Sequence, residues 1–165
     1  MAKRIKSTKI GDVFSVPIDE NYKKYIQYII SDYYMLNSDV IRAFKKKYPI
    51  TLNPDLSDIV SGEVEFYAHC DTKAGIKQDL WNLYGNIANI GQTDNIIFRG
   101  SWDYGRSKEK ISKNWYVWKV GEDPINVGIL KGKNRKADIG PVFPVMHILE
   151  RLKNGEYPGF YPDFE

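Results

Sequence analysis

Short stretches of two-residue alternation recur along this chain, and they constrain its fold more than any other feature. In GDVFSVPI (residues 11–18), Phe14, Val16 and Ile18 fall on one face. That is the period of a half-buried strand. Pro17 has no N–H to give a ladder, so this strand is expected at an edge or a bulge. In 62–70, Val64, Phe66 and Ala68 alternate with Glu63, Glu65, Tyr67 and His69. Further strands are expected over 80–84, 95–102, 114–120 and 125–130. Residues 22–34 carry tyrosines that fit helical spacing, but Tyr and Ile prefer strands. The short Asp19-Glu20-Asn21 turn behind them favours a hairpin.

Two helices are expected. The first spans 36–47, with Asn37 or Ser38 as cap, Asp39 in the first turn, Lys45–Lys47 in the last and Pro49 as stop. The second begins at Pro144, carries the apolar stripe Val145, Ile148, Leu149 and Leu152, and ends at Asn154-Gly155. A single helical turn is expected within 72–79, and 51–61 reads as loop. The expected fold is α+β: a strongly bent antiparallel sheet or partly open barrel with about two packed helices. Residues 1–9 read as a basic flexible leader and 10–165 as one domain.

Composition narrows the function classes. The 165 residues carry 24 basic and 21 acidic side chains, a net charge of +3. A dedicated nucleic-acid binder shows a stronger and more clustered basic footprint, so nucleic acid is an unlikely partner on charge alone. The single cysteine, Cys70, rules out an intrachain disulfide and fits a reducing compartment. No apolar run approaches the roughly 18 residues of a membrane span, and the leader lacks an apolar signal core. A cytoplasmic protein without a membrane partner is expected.

Catalytic signals are sparse. YAHCDT (67–72) sets His69 beside Cys70, but neighbours on a strand point to opposite faces, so the two form no dyad. His69 and Asp71 share a face, and His147 would add a third metal ligand only through tertiary folding. Neither Cys-x-x-Cys nor His-x-x-x-His spacing occurs, and no phosphate-cradling loop is present. No catalytic residue, metal or cofactor is assigned. A hydrolase using His69, Cys70 or Asp71 stands as one alternative.

IIFRGSWDYG (96–105) and NWYVWKV (114–120) are the most informative segments. Gly100 permits a bulge or a close approach. Trp115 and Val117 alternate with Tyr116 and Trp118, so one aromatic set fills the core while the other is free for an interface. Arg, Trp and Tyr on neighbouring strands are the residues that interface hot spots favour. Beside the basic loop 105–113, the same rings also suit stacking on single-stranded nucleic acid, a second alternative.

The opening KIGDVFSVPIDENYKKYIQYI resembles the start of the twenty-sixth immunity-protein family of bacterial polymorphic-toxin systems. VEFYAHCDTKAGIKQDLWNLYGNI (64–87) and IIFRGSWD (96–103) are similar to later family segments, although Gly75 and Trp81 stand further apart than in the family pattern. The resemblance covers about the first two-thirds of the chain. It implies a non-enzymatic protein that binds a cognate toxin and blocks it. Expected partner contacts are Tyr25, Tyr28, Arg99, Trp102, Tyr104 and Trp118.

Overall fold

A computed structural model describes residues 7–165 apart from Ser107 and Glu109. The leader expected over 1–9 therefore lies mostly outside the described residues. Its last residues are tied down: the Thr8 and Thr72 hydroxyls lie 2.7 Å apart, and the Lys9 N–H donates to Asp12.

The fold is α+β. The larger sheet has the order β5 (Val64–Cys70), β3 (Ser38–Phe44), β2 (Tyr22–Asp32), β1 (Asp12–Pro17), β6 (Asn82–Asn86), and the short β4 (Tyr48–Pro49) also pairs with β2. The smaller sheet has the order β10 (Asp138–Ile139), β7 (Ile97–Ser101), β8 (Trp115–Lys119), β9 (Ile125–Gly128). Pairing is antiparallel except between β10 and β7. The two sheets do not close into a barrel.

The larger sheet is buried on both faces. Phe14, Val16, Ile26, Ile41, Phe66 and Cys70 meet α3 (Val145–Asn154), whose Val145, Ile148, Leu149 and Leu152 form the expected stripe. Gly155 ends α3 in the left-handed region. On the other face, Val13, Tyr25 and Phe44 pack against α1 (Leu56–Val60), and Ile29 and Val40 pack against Phe98 and Trp118 of the smaller sheet. Phe14, Val16 and Ile18 lie in the core as alternation predicts. Pro17 pairs only with β2, because β6 has already ended at Ser15, and a register shift at Val13/Phe14 supplies a bulge.

The segment 22–34 is a strand over most of its length. The helix expected at 36–47 is not formed: residues 38–44 are β3, paired with β2 and β5. Burial on both faces overrides the capping signals, because Val40 and Phe44 fill one face while Ile41 and Ala43 fill the other. Asp39 accepts from the Thr72 N–H and hydroxyl instead of capping a helix. The stretch expected as loop, 51–61, contains α1. The expected turn at 72–79 is α2 (Thr72–Lys77), started by Asp71, which accepts from the Ala74 N–H. Strand β6 lies two residues beyond its expected position.

Trp81 is fully buried against Phe14 and donates from its indole to the Thr72 carbonyl. Its ring lies flat against Gly75, where a Cβ would fall inside the indole. Gly75→Ala therefore forces a rigid aromatic out of a close-packed core. A loss of about 2–3 kcal/mol in urea unfolding is expected, the upper range for overpacking.

Candidate functional site

The chemistry-bearing residues group around Asp32, the last residue of β2. Its carboxylate is fully buried. Oδ2 accepts from His69 Nε2 at 2.8 Å and from Trp118 Nε1 at 2.9 Å. Oδ1 accepts from the N–H groups of Gly121 at 3.0 Å and Tyr34 at 3.1 Å. Burial pushes its pKa up, but the donors from Trp118, Gly121 and His69 outweigh this and hold it below the ordinary value. Burial holds His69 below its ordinary value despite the carboxylate beside it. The pair is thus an ionised Asp and a neutral His that donates from Nε2.

An aromatic chain runs outward from this carboxylate. His69 lies against Phe98 and Trp118, with ring centroids 4.1 Å and 6.1 Å away. Trp118 meets Tyr34 edge-on at 5.2 Å and stacks on Tyr116 at 5.8 Å. Tyr116 in turn meets Trp102 at 4.8 Å. The Tyr116 ring sits on Gly100 and the Trp118 ring on Gly140, both where a Cβ would collide, so the close approach expected at Gly100 is real. Trp102 ends the chain 62% exposed, its indole N–H donating to Asn126 Oδ1 on β9. At the other end, the β2–β3 turn holds Leu36 and Asn37 at φ 57° and 56°. Leu36 is 93% exposed and Tyr33 79%. A leucine in the left-handed region costs roughly 1–2 kcal/mol. Strain of that kind concentrates at functional positions.

Of the six expected contact residues, only Trp102 is presented to solvent. Tyr25 is fully buried edge-on between Tyr48 and Tyr84, and burial pushes its hydroxyl up to about 12. Tyr28 is buried and bonded to Ser31. Trp118 is buried on Asp32. Arg99 lies between Trp115 and Phe164 and donates to the carbonyls of Arg135 and Ala137. Tyr104 packs edge-on against Trp115 and Tyr161. Tyr25 and Tyr28 serve the core because both faces of the larger sheet are covered, Trp118 because its face of the smaller sheet packs on β2 and β5, and Arg99 and Tyr104 are half-buried under neighbouring rings; alternation within one strand reveals none of these layers. Sequence reasoning missed Tyr33 and Leu36. The Asn37-Ser38 pair was a turn signal, but it reads equally well as a helix cap.

The catalytic-looking stretch is scaffold. His69 and Cys70 are fully buried on opposite faces of β5, His69 against Phe98 and Cys70 in the α3-facing core. Burial pushes the Cys70 thiol well up, so it is no ready nucleophile. Asp71 caps α2, and His147 lies half-buried on α3. Among the described residues, no cluster of three His, Cys, Asp or Glu side chains could hold a metal ion. No helix is long and apolar enough to cross a membrane. No family model, curated protein or solved structure matches this chain.

Asp32 is an acceptor to four donors, and Asn offers only one oxygen. Asp32→Asn should cost about 2–4 kcal/mol by leaving buried donors unpaired. The pH response follows from His69. A buried histidine held neutral costs stability as pH falls from about 6.5 towards its depressed folded pKa. Asp138, pushed up to about 6 by burial, acts in the opposite sense, gaining stability as pH falls from there towards 4. In an Asp138→Asn background, urea midpoints should therefore drop between pH 7 and pH 5, and His69→Gln should flatten that drop.

Proposed function

We propose that this chain is a non-enzymatic, immunity-like protein of the cytoplasm that binds and occludes a cognate bacterial toxin domain. The observation that carries the reading is the aromatic chain mounted on Asp32, which ends in exposed Trp102 on one side and in the turn of strained, exposed Leu36 on the other. Rigid aromatics lose little entropy on binding and dominate interface energetics. The exposed cations Arg106, Lys108, Lys110 and Lys113 follow Trp102 in the segment that leads to β8 and suit a partner with a complementary acidic rim. The resemblance of the opening segment to immunity proteins supports the same class. A hydrolase using His69 or Cys70 finds no support in two sealed side chains.

One feature favours a second reading: Trp102 over Tyr116 beside a basic loop is also a stacking platform for single-stranded nucleic acid. Such binding falls steeply with salt as counterions are released, whereas a hot-spot protein contact changes far less.

The test is calorimetric titration of the purified chain with the product of the neighbouring gene, at low and high salt. Trp102→Ala should weaken binding by about 2 kcal/mol or more with unchanged thermal unfolding. Leu36→Gly should weaken binding while raising stability by up to about 1 kcal/mol, because it releases the left-handed strain. Absence of toxin binding, together with salt-dependent binding to single-stranded RNA, would replace the first reading with the second.

A further inference from the structure

We infer that β9 is a seam at which a second copy of this chain adds, antiparallel, across a two-fold axis. The inference is independent of the toxin reading and starts from a different element. β9 is the last strand of the smaller sheet and pairs only with β8. Among the described residues, no backbone hydrogen bond closes its outer edge. An open edge presents a row of unpaired N–H and C=O groups, which natural strands usually blunt with charge. Here 125–130, INVGIL, contains no charged residue. Ile125 is 67% exposed and Ile129 47%. An added strand would therefore cover the exposed Ile125 and Ile129 as well as satisfy backbone groups.

The flanking charges select the occupant. The stretch 122–133 reads EDPINVGILKGK: acidic, then uncharged, then basic. Glu122, Asp123, Lys131 and Lys133 are all exposed, and none joins an ion pair among the described residues. Such a pattern is complementary to itself only when reversed. An antiparallel pair centred on Val127 sets Ile125 towards Ile129 of the second copy, and brings the acidic residues that enter the strand, Glu122 and Asp123, towards the basic residues that leave it, Lys131 and Lys133, in the second copy. The two-fold axis makes every such contact twice. A parallel pair would set acid on acid and base on base. Pro124 at the entry and the bulge at Gly128, at φ 64°, keep the seam short. It falls below the roughly 800 Å² per partner of a standard interface, so the dimer is weak and concentration-dependent.

Sedimentation equilibrium of the full chain over a roughly hundredfold concentration range tests this by mass action. A shift from 19.1 kDa towards twice that mass is expected. Asp123→Lys and Lys131→Asp should each weaken the dimer about tenfold, since each brings like charges towards one another twice. The double exchange should restore it. Circular dichroism of these exposed-site variants checks that they remain folded. Wild-type chain that stays monomeric throughout, a dimer insensitive to both single variants, or no rescue in the double variant would each overturn the proposal. So would protection of β9 amides only when a different protein is bound.

Discussion

The buried carboxylate of Asp32 is the constraint on which the rest of this molecule turns. An isolated charge in a protein interior is untenable, and it becomes tolerable only when every lone pair finds a donor in good geometry. Asp32 has four donors, drawn from β2's own turn, β5, β8 and the turn after β8. They fix the distance and rotation between the two sheets. A hydrophobic contact at the same place would tolerate sliding, whereas four directional bonds to two oxygens do not. The neutral state of His69 follows from the same geometry. One ring nitrogen is committed to Asp32 and the whole ring is sealed beneath Phe98 and Trp118, so a positive charge on the imidazole has nowhere to be hydrated.

This arrangement explains why the exposed aromatic end is rigid. Trp118 is held at its indole nitrogen by Asp32 and at its face by Gly140. Tyr116 stacks on it over Gly100, and Trp102 rests on Tyr116. Each ring is positioned by the one before it, back to a charge in the core. A side chain pre-positioned in this way contributes more to binding than the same side chain on a mobile loop, because its ordering cost is met on folding. Leu36 belongs to the same logic. Its turn follows directly from Asp32, whose Oδ1 fixes the Tyr34 N–H, so a strained residue is maintained by bonds outside itself.

Much of the fold was legible in the sequence, and the failures have a common cause. Alternation located β1, β5, β7 and β8, and the α3 stripe with its Gly155 stop was read correctly, because each presents one buried and one wetter face or a clean helical period. The central strand β3 failed because both of its faces are buried. VIRAF has no polar face to betray a period of two, and its flanking Asn, Asp and lysines mimic helix capping. Covering layers likewise misassigned Tyr25, Tyr28 and Trp118 to the surface. Single-strand periodicity says which residues share a face but not whether a second layer covers it. Asp32 itself was invisible, since an aspartate at a strand end looks like any other turn residue until His69 and Trp118, distant in sequence, are brought to it.

The exposed end of the aromatic chain and the open edge of β9 meet at one residue. Asn126 accepts from the Trp102 indole while its backbone belongs to the strand that carries the seam. In a lone chain, β9 has ladder bonds on one side only, and the outer half of its backbone exchanges with water. A second copy added at the seam would pair the backbone of the residue that already holds the Trp102 indole, so the seam and the aromatic face share Asn126.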